Sequence, residues 1–268
     1  MSDDACDAAD LLAFSHQLAD RAGEAILPYF RASIAVEDKA AGGAFDPVTA
    51  ADRAAEQVIS AALQDRYPDH GLIGEEYGRR DGSSRYRWVV DPIDGTKAFI
   101  LGLPIWGTLI GLLDGAQPVL GMMDQPYTRE RFWSDGSASF LSVGGSAPRL
   151  IRTRPCKDIG QAMLSTTHPD LFAAGAEAEA FARIKQVSRM TRYGGDCYAY
   201  CLLAAGFIDL VVEAGLKPHD IVALIPIIER AGGVITTWDG KSATSGGRIL
   251  ASGDPVLHEK AMKVLAGA

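Results

Sequence analysis

Residues 91–100 read DPIDGTKAFI and follow the apolar run Trp88-Val89-Val90. Three consecutive apolar residues bounded by turn formers read as a buried strand, yet this strand runs straight into two aspartates three positions apart. Pro92 fixes one backbone angle between them, and Gly95 permits a tight turn directly behind. Both carboxylates and the carbonyl of Ile93 can therefore face one point. Crowded carboxylates repel and raise one another's pKa, a conflict that a divalent cation resolves. An all-oxygen donor set suits a hard ion such as Mg²⁺, with Mn²⁺ a workable substitute. The stretch lacks the alternating ligand positions and terminal Glu of an EF-hand calcium loop.

Two further acidic stretches sit at the ends of predicted elements: Leu72-Ile73-Gly74-Glu75-Glu76, and His219-Asp220 at the opening of a helix predicted over Ile221 to Ala231. Taken singly, each has an ordinary explanation. Asp and Pro make turns, Asp220 is a natural N-cap, and carboxylates at strand ends are commonly solvated. Taken together, they are harder to dismiss as solvated ends. Competing chemistries leave little trace. Gly240-Lys241-Ser242 resembles the end of a P-loop, but Ile235 stands where that motif needs its first glycine. Neither G-x-S-x-G nor H-E-x-x-H occurs, and of five scattered histidines only His219 lies beside the acidic stretches.

Bulk properties agree. The chain has 268 residues, enough for one large domain or two smaller ones, and its 47% hydrophobic and 22% charged composition is that of a folded globular protein. No apolar run approaches the ~18 residues of a membrane span, and the acidic start Met1 to Asp7 has no secretory pattern, so the expectation is a cytoplasmic protein. Cys6, Cys156, Cys197 and Cys201 form no C-x-x-C pair and read as reduced thiols. A net charge of −8 argues against nucleic acid as a partner, because that binding needs clustered Lys and Arg. A small anion remains compatible, since a metal reverses the field inside one cleft.

Apolar spacing predicts a helix from Asp7 to Phe30, a short strand over Ser33 to Glu37, a Gly-rich loop over Lys39 to Pro47 and a helix over Val48 to Tyr67. Strand patterns then crowd together at Gly71 to Gly74, Trp88 to Val90, Ile105 to Leu113, Val119 to Asp124 and Arg131 to Ser134, which implies a mainly antiparallel sheet flanked by two helices. Small residues around Val143 to Pro148 suggest a seam between an N-terminal α+β half, 1–146, and a C-terminal α/β half, 147–268. Beyond the seam strands alternate with helices, including helices over Pro169 to Lys185 and Cys197 to Ala205, a strand over Phe207 to Glu213 and a last helix near Pro255 to Leu265.

In order along the chain, Phe45-Asp46-Pro47-Val48-Thr49-Ala50-Ala51-Asp52, Gly74-Glu75-Glu76, Asp91-Pro92-Ile93-Asp94-Gly95-Thr96 and the Asp220 region with Glu229-Arg230-Ala231-Gly232-Gly233 resemble the metal-dependent inositol monophosphatase superfamily. The resemblance covers nearly the whole chain. It implies a layered α-β-α-β-α sandwich with a mainly antiparallel first sheet and a mixed second sheet, a homodimer, and Mg²⁺-dependent hydrolysis of a small phosphate monoester with two or three ions per site. Carried over residue by residue, it makes Glu75, Asp91, the Ile93 carbonyl, Asp94 and Asp220 metal ligands. Asp52 and Thr96 become the hydrogen-bonded pair that helps to activate water, with Glu75 also serving catalysis. The Gly95 and Thr96 amides bind phosphate, and Lys39 matches a lysine of the substrate pocket.

Within that superfamily, Leu103-Pro104-Ile105-Trp106-Gly107-Thr108, Met123-Asp124-Gln125-Pro126, Tyr193-Gly194-Gly195-Asp196-Cys197-Tyr198 and Glu213-Ala214-Gly215-Leu216-Lys217-Pro218-His219-Asp220 look like the histidinol-phosphate phosphatase branch. Lys97 after D-G-T is shared with 3′-phosphoadenosine phosphatases. Histidinol phosphate is cationic beyond its phosphate, so acidic residues placed there favour it over a neutral polyol, and Asp196 and Glu213 are the candidates. The plainer reading makes Asp196 a helix cap and Glu213 a strand end. Rival readings are a phosphatase for inositol phosphate, 3′-phosphoadenosine 5′-phosphate or fructose 1,6-bisphosphate, and a catalytically silent binding protein.

Overall fold

The computed structural model describes residues 7–33, 36–38 and 47–267. Lys39, Phe45, Asp46 and Cys6, along with part of the strand expected over Ser33 to Glu37, lie outside the described residues. Helix α1 (Ala8–Ile26) begins where the Asp7 carboxylate accepts the Ala9 amide, and Leu11, Phe14, Leu18, Ala22 and Ile26 form its buried stripe. It stops short of the predicted Phe30, tightening into a 3₁₀ turn over Leu27–Tyr29 that contains Pro28. A two-stranded ribbon of β1 (Val36–Asp38) and β2 (Pro47–Thr49) leads into α2 (Ala50–Arg66), capped by Thr49.

The first sheet contains β3 (Gly71–Gly74), β4 (Arg79–Arg80), β5 (Tyr86–Asp94), β6 (Gly107–Asp114), β7 (Gln117–Gln125), β8 (Glu130–Ser134), β9 (Ser139–Val143) and β10 (Arg149–Ile151), with the short helix α3 (Thr96–Ile100) after β5. Its strand order is β10-β9-β8-β7-β6-β5-β3-β4, and every pairing is antiparallel except β3 with β5. Strand β10 reaches this sheet from beyond the small-residue seam.

The second sheet, β12-β11-β13-β15-β14, is mixed: β11 (Met163–Thr166) pairs in parallel with β12 (Met190–Tyr193) and β13 (Leu210–Leu216), whereas β15 (Gly247–Ser252) runs antiparallel to β13 and β14 (Val234–Thr237). The helices after β10 are α4 (Ala176–Val187), α5 (Asp196–Ala204), α6 (Pro218–Ile221), α7 (Leu224–Arg230) and α8 (Pro255–Ala266). Two predicted helices are corrected. The one over Pro169 to Lys185 begins only at Ala176, after a 3₁₀ turn over Pro169–Leu171 and Gly175. The one over Ile221 to Ala231 divides at Val222 and Ala223 into α6 and α7.

Alternation along the first sheet explains the layering. Trp88, Val90, Ile110, Leu112, Leu120 and Met122 face α1 and α2, while Leu109, Met123, Phe132 and Leu141 face α5 and α7. Helices α4 and α8 cover the outer face of the second sheet through Leu164, Leu210, Val212 and Leu250. The result is an α-β-α-β-α sandwich. Its central layer can close only because Gly111 and Gly121, paired across β6 and β7, leave room for the chain between α6 and α7. A β-carbon on Gly121 would lie 1.9 Å from the Ala223 carbonyl oxygen.

Candidate active site

The two aspartates of DPIDG do not follow the strand as its terminal turn; they lie inside β5. Asp91 pairs with Leu109 and Asp94 with Gly107, so two residues on β5 span one on β6. Residues three apart on a regular strand point to opposite faces, and this one-residue bulge returns them to the same side. Pro92 has no amide to offer the ladder, and its carbonyl instead accepts the buried Thr108 hydroxyl at 2.8 Å. The Asp91 carboxylate takes the Ile93 amide at 3.0 Å, which fixes the turn from within.

Asp220 arrives from the other sheet. Pro218 and His219 precede it in α6, so it is the third residue of that helix and not the expected N-cap; its Oδ2 accepts the amide of Lys217, the residue before the helix, at 2.6 Å. Ligand oxygens of Asp91, Asp94 and Asp220 all lie within 4.8 Å of one another, and Glu75, Asp91 and His219 form an overlapping group at the same spacing. His219 Nε2 also lies 3.4 Å from Asp220 Oδ1. The sequence placed His219 beside the acidic stretches, and the fold adds it to the cluster.

Burial governs the electrostatics. It pushes the Asp91 carboxyl well above the usual range, followed by repulsion from Glu75, Asp94 and Asp220 and a hydrogen bond with Glu75. Asp94 is raised by burial and then by Asp196 and Asp220, against the stabilising Cys197 amide, which it accepts at 2.6 Å. Asp220 is raised by burial, opposed by His219. Buried carboxylates that cannot ionise together are poor structural elements and good cation ligands. The donor set, carboxylate oxygens with one imidazole in reach, therefore fits a hard divalent ion.

Asp52 is fully buried in the first turn of α2, and burial, with Glu76 and Glu75 adding repulsion, lifts its pKa to about 6. Its Oδ2 accepts both the Thr49 amide, at 2.9 Å, and the Thr49 hydroxyl, at 2.6 Å, while Oδ1 has no hydrogen-bond partner among the described residues. The expected bond from Thr96 to Asp52 is not formed. Thr96 opens α3 three residues after Ile93, and its hydroxyl donates to the nearer Ile93 carbonyl at 3.1 Å. Gly95 precedes α3 at φ 88°, leaving the first amides of that turn without intrahelical acceptors.

Asp196 is not a capping residue. It is the first residue of α5, held at φ 43°, and its carboxyl group lies over Gly95, where an added β-carbon would meet it at 3.1 Å. Burial lifts its pKa to about 6, opposed by Lys97. Glu213 is buried on β13, where its carboxylate accepts the Thr167 amide at 2.8 Å and the Tyr200 hydroxyl at 3.0 Å; burial lifts its pKa to about 7. Sequence reasoning missed Glu56, a buried acid one turn beyond Asp52 on α2 that takes the amides of Glu76 and Tyr77. The available signal was an acidic residue four positions after Asp52, on the stripe formed by Ala51, Ala55 and Ile59. A separate cavity of about 600 Å³ lies between α1 and β7 to β9, lined by His16, Asp20, Asp124 and Arg131, and shares no residue with this cluster.

Comparison with known proteins agrees with this geometry. The chain is 43% identical over 264 residues to the bifunctional phosphatase IMPL2, chloroplastic, of Arabidopsis thaliana, covering 94% of this chain and 74% of that protein. It is 33% identical to the histidinol-phosphatase of Mycobacterium tuberculosis, covering 94% and 96% of the two chains. An inositol monophosphatase from Zymomonas mobilis superposes with a TM-score of 0.85 at 40% identity, covering 97% of this chain and 99% of that one. Residues 7–267 match the profile of the inositol monophosphatase family, and the chain belongs to that family.

Proposed function

We propose that the chain hydrolyses L-histidinol phosphate to L-histidinol and phosphate, a step of histidine biosynthesis, with Mg²⁺ as its natural cation and as a homodimer in the cytoplasm. The observation that carries the chemistry is the approach of Asp91, Asp94 and Asp220 ligand oxygens to within 4.8 Å of one another, in surroundings that oppose their ionisation unless a cation joins them. Glu75, Asp91, the Ile93 carbonyl, Asp94 and Asp220 would hold that cation. When bound, it supplies Lewis-acid chemistry, neutralising phosphate charge and making water acidic enough to attack.

The protein's own groups do the rest. Asp52 Oδ1, buried and without a hydrogen-bond partner among the described residues, would take a proton from the attacking water. The Gly95 and Thr96 amides offer donors to phosphate oxygens. Thr96, bonded to the Ile93 carbonyl, keeps a hydroxyl oxygen that can accept from water.

Specificity for a cationic alcohol rests on Asp196 and Glu213. Asp196 reaches over Gly95 and provides the direct contact, and Glu213, with both oxygens engaged inside the protein, adds negative field as it ionises above its pKa of about 7. The histidinol-phosphatase relative supports the same substrate. Phosphate release from histidinol phosphate, inositol 1-phosphate, 3′-phosphoadenosine 5′-phosphate and fructose 1,6-bisphosphate, with and without Mg²⁺, tests the proposal. The highest kcat/KM should fall on histidinol phosphate, with turnover abolished by chelator. A higher value on any of the other three would reassign the substrate, and no Mg²⁺-dependent turnover would remove the catalytic reading.

A further inference from the structure

We propose that Glu56, which is not among the clustered ligands, is a positioning residue that locks the Glu75 loop in the geometry that receives the cation. The inference rests on the cation reading above. Glu56 is 1% exposed in the middle of α2. One carboxylate oxygen accepts the Glu76 amide at 2.7 Å and the other the Tyr77 amide at 3.0 Å, directly after Glu75. Gln57, the next residue of the helix, donates to the Tyr77 hydroxyl at 2.7 Å. The loop closes on itself where the Gly74 amide donates to the Gly78 carbonyl at 2.9 Å.

Gly74 makes the arrangement possible. A β-carbon there would stand 1.8 Å from Glu56 Oε1 and 2.4 Å from its carboxyl carbon. Gly74 is not among the positive-φ glycines, so the requirement at this position is space for the carboxylate. Asp52 lies one turn earlier on the same helix, so α2 carries at one point the acid that faces the site and at the next the clamp on the loop that supplies Glu75. A carboxylate buried beside Glu75 and Glu76 is a costly way to hold a loop, and its two oxygens match the two amides that the loop presents.

Direct titration with Mn²⁺, followed by the electron paramagnetic resonance of the free ion, tests this on the full chain. Glu56→Gln puts an amide donor where one of the two loop amides needs an acceptor. It should weaken Mn²⁺ binding about 10- to 100-fold, the range for residues that orient a ligand. Its kcat should recover at saturating Mg²⁺. Ile59→Val, on the same helix and fully buried, should lower thermal stability with Mn²⁺ affinity unchanged.

Gly74→Ala should displace the carboxylate and reproduce the Glu56→Gln affinity, and it carries the test by itself if Glu56→Gln does not fold. In a Glu56→Ala background, Gly74→Ala should add no further loss, because the carboxylate it displaces is gone. Wild-type affinity in Glu56→Gln or in Gly74→Ala, or an equal loss in Ile59→Val, overturns the proposal. Absence of Mn²⁺ binding by the wild-type protein overturns the cation reading itself, and this inference with it.

Discussion

The carbonyl of Ala223 sits directly over the α-carbon of Gly121, closer than any side chain would allow. That contact seats the chain between α6 and α7 on the first sheet, and α6 carries the Asp220 side chain among those of Asp91 and Asp94. Gly121→Ala should therefore damage both packing and metal binding. Overpacking costs about 1–3 kcal/mol, and urea unfolding should show a loss at or above the top of that range. Mn²⁺ affinity of the folded fraction should fall as well, by at least tenfold. Unchanged affinity would separate the glycine groove from the site.

Removing one charge from the cluster should stabilise the metal-free protein while abolishing its response to metal. Asp94→Asn relieves repulsion from Asp196 and Asp220 and keeps an oxygen that can accept the Cys197 amide. Thermal denaturation in chelator should show a higher midpoint than wild type. Saturating Mg²⁺, worth about 2.7 kcal/mol at a hundred times the dissociation constant, should raise the wild-type midpoint and leave the variant's nearly unmoved.

Asp52→Asn should lower kcat by about 10²- to 10⁴-fold, the usual worth of a positioned acid or base. An amide can still accept the Thr49 amide and hydroxyl through its oxygen, so folding should survive. Steady-state kinetics at saturating Mg²⁺ separates this from a binding defect, because KM should change little.

Glu213 gives a pH prediction whose sign follows from burial. Its folded-state pKa of about 7 lies above the ordinary glutamate value of 4.5, so between those two pH values the native state holds a proton that the unfolded chain has released. Stability therefore falls as pH rises through this window, by about 1.4 kcal/mol per pH unit at most, and levels off above it. Glu213→Gln removes the titration. Unfolding free energies of wild type and variant should diverge in favour of the variant from pH 4.5 to pH 7 and run parallel above. Parallel curves throughout would place Glu213 in a more solvated setting.

Much of this fold was legible in the sequence because its signals are local. The crowding of short strands between Gly71 and Ser134 indicated an antiparallel sheet, and strand-helix alternation beyond Pro148 indicated the second layer. What escaped were features set by a partner far along the chain. The bulge between Asp91 and Asp94 exists only in register with β6, so the same residues read as a turn when considered without it. Thr96 bonds to Ile93 instead of Asp52 because α3 begins one residue after Gly95, a matter of helix geometry that the motif does not encode. Glu56 could be placed on the buried stripe of α2 from its spacing, but its role could not, because the two amides it holds lie 20 and 21 residues away.

Anomalous diffraction from crystals soaked in MnCl₂ bears most directly on whether these acidic side chains form a cation site. The expected map has manganese peaks bounded by Glu75, Asp91, Asp94 and Asp220, with at least one ion touching carboxylates from both β5 and α6. A map with manganese elsewhere, or none while these four side chains point apart, would contradict it.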